Sequence, residues 1–343
     1  MLVELTTVAD DRATFNLRPD PAAGETGGVV VDALDDLEPA TAHEHHGVSF
    51  CTLPRPAGRV RSRFATVNDV HFGEVEAGRL DDHPEGPIQR VPLGAEPYPE
   101  TMNRSAVAEM APLDLDAVIV KGDLTTEGTD DEFAAFEACY RPAFGDRLHV
   151  VRGNHDAYLG QDRYAGDSWI ELDGVAIALL DTTMPNHTNG SLSAEQLDWL
   201  DGHAAESTAP VIVMGHHQQW IGGERDPEYF GLTPDSSDAL EAVFVRRPAL
   251  VAYTAGHTHR HRVRRFAGGV PSIEVGCVKD FPGTWAEYRV YDGGILQVVH
   301  RISSPAALAW SEQCRTLYAD FGLDYAEYAL GTLDDRCFEI ELR

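Results

Sequence analysis

Nine residues of this chain combine ligand-capable side chains with positions at the ends of apolar runs. Asp69 and His71 stand in NDVHFG, Asp123 in KGDLT, and Asn154, His155 and Asp156 in GNHD. His216 stands in VMGHH, and His257 and His259 in AGHTH. Within DVH and HTH the ligand-capable pairs are two apart, so on extended backbone they would face the same side. Carboxylates and imidazoles without a thiolate suit Mn, Fe, Zn or Co and not a structural zinc knot. Seven ligands drawn from such a set are too many for one ion and fit two that share a carboxylate. The plain alternative is turn chemistry, since Gly, Asn and Asp are turn formers. For Asp156 that alternative is a helix cap.

The elements that must position these residues are legible around them. FATVND, LDAVIVKGD, RLHVVRGN, GVAIALLDT, APVIVMGH and ALVAYTAGH are short Val/Ile/Ala/Leu runs. Helix-like segments lie between several of them: TMNRSAVAEMAPL, TDDEFAAFEACYRPAF and SAEQLDWLDGHAA, the last with Ser193 as its N-cap. Alternation of this kind predicts βαβ units whose strands are buried on both faces. In such sheets, sites form beyond the carboxyl ends of the strands, which is where the polar residues fall. Before them, LVELTTV, ATFNL, GGVVVDAL and GVSFCTL predict a small β module over 1–60, bounded by the Pro/Gly/Arg-rich LPRPAGRVRS. After them, SIEVGCV and EYRVYDGGILQVVHRI predict further strands of a catalytic domain spanning 61–303. SPAALAWSEQCRTLYADF opens a helical cap or extension over 304–343.

The ordered set D-x-H, GD, GNHD, GH and GHxH resembles the calcineurin-like metallophosphoesterases. The likeness is greatest to their class III cyclic-nucleotide phosphodiesterase and glycerophosphodiesterase branch, and it covers residues 64 to about 300. It takes in GDLTTEG with its following acidic helix, and LLDT…GSLSAEQLDWL before the GHH run. The resemblance implies a four-layer α/β/β/α sandwich and a centre of two metal ions, Mn, Fe or Zn. By it, Asp69, His71 and His259 hold one ion, Asn154, His216 and His257 hold the other, and Asp123 bridges them. The implied reaction is hydrolysis of a small phosphodiester by a bridging hydroxide that attacks phosphorus, with His155 as the catalytic acid and Asp156 orienting it. Asn154 then has a charge rationale: two divalent ions against two carboxylates and a hydroxide leave the centre about one unit positive, and a third carboxylate would cancel that. A phosphomonoesterase is the alternative enzyme, and a metal-binding interaction scaffold the alternative outside catalysis. The N-terminal module loosely resembles the β-sandwich that precedes the catalytic domain of purple acid phosphatases.

The formal net charge of −29 argues against nucleic acid or an anionic membrane as partner. The chain is expected to be cytoplasmic, since MLVELTTVADDRATF has no basic n-region and no run reaches membrane-spanning length. A homodimer is compatible with the C-terminal segment. Lysine occurs only at Lys121 and Lys279. The five cysteines are read as free thiols, with a Cys314–Cys337 bridge as the alternative. Several histidines fall outside the implied set. His217 is open between a site-rim and a packed role, His261 is expected to be structural, and HEHH at 43–46, which looks like a metal clip, is expected to be a surface loop. HRHRVRR is expected to be a solvated strand face. Gln218, Gln219 and Trp220 stand where the resembled family usually has prolines. The acidic, Pro-rich segment from Glu74 to Glu100 is read as a lid over the metals or as a surface insertion.

Overall fold

The computed structural model describes residues 1–80 and 86–342. Residues 81–85, inside the Glu74–Glu100 segment, lie outside the described residues.

The N-terminal strands are β1 (Leu2–Val8), β2 (Ala13–Arg18), β3 (Val30–Leu34), β4 (Ala42–His45) and β5 (Val48–Cys51). The first three form one antiparallel sheet and the last two a hairpin. Phe15 and Phe50 fill the space between them. HEHH is therefore the end of a strand and its turn, a correction to the loop expected there.

The chain continues through β6 (Val60–Asn68), the short β7 (Glu76–Ala77) and β8 (Gln89–Arg90), α1 (Tyr98–Met110), β9 (Ala117–Lys121), α2 (Asp130–Phe144) and β10 (Leu148–Val151). Next come β11 (Ser168–Leu172), β12 (Val175–Leu179), α3 (Ala194–Glu206), β13 (Val211–Met214), α4 (Pro234–Arg246) and β14 (Leu250–Ala255). It ends with β15 (Arg262–Arg265), β16 (Pro271–Glu274), β17 (Thr284–Tyr291), β18 (Gly294–Arg301), α5 (Pro305–Cys314), α6 (Tyr325–Leu330), α7 (Leu333–Arg336) and β19 (Phe338–Glu341). Ser193 caps α3 as expected, in a reciprocal box with Gln196.

Two six-stranded sheets result, ordered β10-β9-β6-β17-β18-β19 and β11-β12-β13-β14-β16-β15. The period of two explains their stacking. Phe64, Ile119, Ile177, Ile212 and Met214 point into the gap between the sheets. Their neighbours alternate outward: Ala65, Val118 and Val120 meet Met102, Phe133 and Phe136 of α1 and α2. Ala178, Val211 and Val213 meet Leu200, Leu240 and Phe244 of α3 and α4. The order of layers is thus helix, sheet, sheet, helix, the four-layer sandwich.

The strands that carry the site run parallel within each sheet: β10, β9 and β6 in one, β13 and β14 in the other. The segment 304–343 supplies α5 to α7 and also β19, which pairs with β18 at the edge of the first sheet. The N-terminal module is fastened to the same sheet and to the end of α5 by ion pairs: Arg289 of β17 meets Asp10 and Asp11, and Arg301 of β18 and Arg315 at the end of α5 meet Glu4. All five cysteines are free, and Cys314 and Cys337 sit in different apolar clusters. Among the described residues no helix is long and apolar enough to cross a membrane.

Candidate metal centre

Loops at the carboxyl ends of five parallel strands bring the nine residues to one end of the sandwich. β6 delivers Asp69 and His71, β9 Asp123, β10 Asn154, His155 and Asp156, β13 His216, and β14 His257 and His259. The loops are sewn together beyond the strands: the His71 amide donates to Asp123 O at 2.8 Å, and the Gly256 amide to His216 O at 2.9 Å.

The i, i+2 pairs are not on extended backbone, a correction to the strand alternation expected to aim them. Asp69 and His71 have φ of 52° and 45°, His257 and His259 have 69° and 54°, and Asp123 has 49°. Left-handed backbone at non-glycine residues costs about 1–3 kcal/mol each and persists where the surroundings over-determine it, most often at functional sites. The tight turns aim the ligand atoms inward.

The glycines of GD, GN and GH have a packing reason. A Cβ on Gly122 would lie 2.2 Å from His216 Nδ1, on Gly153 2.3 Å from Asp123 Oδ1, and on Gly256 2.7 Å from Asp69 Oδ2. Each glycine makes room for a ligand that another loop supplies.

Around His216 Nε2 lie Asn154 Oδ1 at 3.1 Å, Asp123 Oδ2 at 3.2 Å and His257 Nδ1 at 3.2 Å. His216 Nδ1 faces the Lys121 carbonyl at 3.2 Å, so Nδ1 keeps its proton and Nε2 is the nitrogen that can give one up to bind an ion. Asn154 donates its amide to the Tyr158 hydroxyl at 2.6 Å, which turns Oδ1 toward the cluster. Asp123 Oδ2 also lies 3.4 Å from His71 Nε2, so one carboxylate touches both halves. In the other half, ligand atoms of Asp69, His71 and His259 lie within 4.8 Å of one another. Both ring nitrogens of His71 and Nε2 of His257 are buried without a hydrogen-bond partner among the described residues. Lone pairs crowded together, and buried nitrogens left unpaired, are costly without a cation and fit one well.

Burial is the largest influence on the titrating groups. It lifts the Asp69 carboxyl to about 7 and drops the His71 imidazole to about 4. It also holds His257 and His259 well below the ordinary imidazole range. Burial would depress His216 too, but the Asp123 carboxylate outweighs it and the imidazole is raised to about 9. Asp123, lifted by burial and pulled down by His216 and His155, ends well below the carboxylate range.

His155 borders the cluster, its ring centroid 4.6 Å from that of His71. Its Nδ1 lies 2.7 Å from the Thr126 carbonyl, so that nitrogen donates and Nε2 is left for the cavity. Thr126 therefore orients His155, and Asp156 does not, a correction to the role expected for it. Asp156 is fully buried and accepts four hydrogen bonds, from Leu124 N, Thr125 N, Thr125 Oγ1 and Gly153 N. It locks the Asp123 loop to the Asn154 loop.

His217 is packed and not at the rim: Nδ1 meets Thr182 Oγ1 at 2.8 Å and Nε2 the Thr188 carbonyl at 3.1 Å. His261 is buried against Thr284 and the Gly276 amide. Of the HRHRVRR arginines, Arg260 and Arg264 pair with buried Glu274.

Sequence reasoning missed Tyr158, Thr126 and the two lysines. Lys121 is wholly buried and donates to Thr254 Oγ1, and burial lowers its ammonium to about 7. Lys279 is buried at the cavity wall against Glu74 and Asp280. That both lysines of an acidic chain lie at the site was a signal in the composition. A cavity of about 950 Å³ opens over the cluster, walled in part by Glu74, Glu76, Leu80, Tyr158, Phe230 and Tyr318. The start of the Glu74–Glu100 segment is thus part of its wall.

The chain is similar to several known proteins. The chain is 30% identical over 168 residues to a protein of Rhodococcus erythropolis named a probable cyclic nucleotide phosphodiesterase, a match over 45% of this chain and 54% of that one. It is 27% identical over 166 residues to a cAMP/cGMP dual specificity phosphodiesterase of Mycobacterium tuberculosis, over 45% and 51%. The chain thus spans about half the length of the curated relatives it matches. In fold it is similar to a dimetal phosphatase from Danio rerio, with a TM-score of 0.57 and 15% identity, over 71% of this chain and 98% of that one. It is also similar to a purple acid phosphatase from yellow lupin, with a TM-score of 0.53 and 13% identity, over 88% and 72%. The calcineurin-like phosphoesterase family model matches residues 62–261, more than half of the chain and every one of the nine residues, and the chain belongs to that family.

Proposed function

We propose that the protein is a metal-dependent phosphodiesterase acting on a small diester, a cyclic nucleotide or a glycerophosphodiester. The carrying observation is the convergence of Asn154 Oδ1, Asp123 Oδ2 and His257 Nδ1 on His216 Nε2. Asp69, His71 and His259 would hold one divalent ion, Asn154, His216 and His257 would hold the other, and Asp123 lies within reach of both. Such ions polarise the phosphoryl group and activate water for attack on phosphorus.

The chain's own groups supply the rest. Thr126 holds His155 with Nε2 toward the cavity, where the ring in its imidazolium form would stabilise charge on the phosphoryl oxygens and pass its Nε2 proton to the departing oxygen, ending as the neutral Nδ1–H tautomer. Tyr158 fixes the Asn154 amide, and Asp156 keeps the loops of Asp123 and Asn154 in register.

The cavity wall favours a diester over a monoester. Glu74, Glu76, Glu127, Glu132 and Asp280 line it against the cations Arg79 and Lys279. A singly charged diester meets less repulsion there than a doubly charged monoester. The relatives named as cyclic nucleotide phosphodiesterases support the same choice.

Hydrolysis of bis-p-nitrophenyl phosphate and p-nitrophenyl phosphate by chelator-stripped protein reloaded with Mn²⁺ tests this reading. A metal-dependent rate higher on the diester is expected. A higher rate on the monoester would make the protein a phosphatase, and protein that binds two ions without hydrolysing either ester would be a scaffold.

A further inference from the structure

A second group of metal-ligating side chains lies in the N-terminal module, apart from every residue placed in catalysis above. Asp32 on β3 and His45 and His46 at the β4–β5 hairpin bring their ligand atoms within 4.8 Å of one another. Both imidazole Nε2 atoms point at one oxygen: His45 Nε2 lies 2.8 Å and His46 Nε2 2.7 Å from Asp32 Oδ2.

The local backbone explains how adjacent residues come to face one ligand point. Neighbours on a strand point to opposite sides. His46 leaves the strand with φ 50°, followed by Gly47 at 75°, the doubly left-handed turn that closes a two-residue hairpin. The turn brings the His46 ring back beside that of His45, with centroids 4.1 Å apart. The first position of such a turn ordinarily takes Asn, Asp or Gly. Here it carries an imidazole.

The rings have a fixed floor. Phe15, fully buried, packs against His45 at 5.2 Å and His46 at 6.0 Å between centroids. It pairs directly across β2 and β3 with Asp32, so carboxylate and phenyl ring share the inner face of that sheet. On the outer side the three side chains keep 30%, 34% and 35% of their surface exposed, enough for water to complete a coordination shell.

We propose that Asp32, His45 and His46 form a third metal site, for a single divalent transition ion of the Zn²⁺ or Co²⁺ kind. One carboxylate oxygen and two imidazole nitrogens is a borderline donor set that such ions accept, and that Mg²⁺ and Ca²⁺ do not favour. The ion would join the three-stranded sheet to the hairpin. A module of five short strands has little core of its own, and a bound ion adds its binding energy to folding.

The test is metal stoichiometry on the full chain. At equilibrium with micromolar free Zn²⁺, wild-type protein is expected to carry one equivalent more than the Asp32→Asn and His45→Gln variants. All three should hydrolyse bis-p-nitrophenyl phosphate alike, which shows that the variants fold. Glu44→Gln, on the same hairpin, should keep the wild-type count. A second measurement needs no variant: Zn²⁺ should slow carbethoxylation of His45 and His46 by diethyl pyrocarbonate several-fold, read by peptide mass spectrometry. Equal stoichiometry in an active variant overturns the site and leaves two imidazoles hydrogen-bonded to a carboxylate. Modification that Zn²⁺ does not slow overturns it as well.

Discussion

His216 Nε2 and Asp123 Oδ2 meet at 3.2 Å although one leaves the second sheet and the other the first. The contact closes the gap between the sheets at the site. It also sets the protonation of both partners, with the imidazole raised to about 9 and the carboxyl held well below its usual range. A ligand nitrogen must be unprotonated and a ligand carboxyl ionised. At pH 7 the metal-free protein therefore holds a proton on His216, and part of one on Asp69, whose carboxyl is raised to about 7.

Metal binding is thus expected to release at least one proton at pH 7, and affinity is expected to rise with pH up to about 9. For each proton expelled the gain is about tenfold per pH unit below the pKa of that group. Calorimetric titration with Mn²⁺ in buffers of differing ionisation enthalpy counts those protons. A count of zero at pH 7 would disprove the Asp123–His216 charge pair.

His155→Ala should separate chemistry from binding. Among the described residues the ring bonds through Nδ1 to Thr126 O and brings no other hydrogen bond to the loops, so its loss leaves the ligands in place. Turnover should fall by about 10²- to 10⁴-fold, the usual worth of a positioned acid, with metal content unchanged. Parallel elemental analysis and steady-state kinetics check this; an equal loss of metal and of rate would make His155 a ligand.

Asp156→Asn should act on stability and metal content together. Two backbone amides donate to Asp156 Oδ2 and a backbone amide and a hydroxyl to Oδ1, so an asparagine NH₂ would face donors on whichever side it takes. The mismatch of a buried donor costs about 1–3 kcal/mol. Denaturant unfolding of the metal-free variant should show that loss, and the variant should bind less metal. A variant with native stability and slow turnover alone would return Asp156 to a role beside His155.

Gly153→Ala tests the packing reason for GNHD. Its Cβ would lie 2.3 Å from Asp123 Oδ1 and 2.4 Å from the Asp123 amide, which is backbone and cannot swing aside. Displacement of the one carboxylate shared by both halves should lower bound metal to one equivalent or fewer, with a fall in rate of about a hundredfold or more. Full loading and full rate would show that the loops have slack there.

The sequence alone was enough to find the parts. Short runs of Val, Ile, Ala and Leu placed the buried strands, helical patterning placed α1 to α3, and Gly-Asp, Gly-Asn and Gly-His marked the strand ends. These are local signals, carried by residues a few positions apart. α4 was passed over, and HEHH was expected as a loop because its hairpin turn uses His46 in place of Asn or Asp.

What only the tertiary structure decided lies between segments far apart in the chain. Asn154 and His216 are 62 residues apart, and Lys121 and His216 are 95 apart. Their contacts depend on how two sheets stack, which no local spacing encodes. Left-handed turns, and not strand alternation, aim Asp69 with His71 and His257 with His259. Asp156 proved to be a brace between loops and Thr126 the partner of His155, because hydrogen bonding follows the position of atoms in space and not adjacency in sequence.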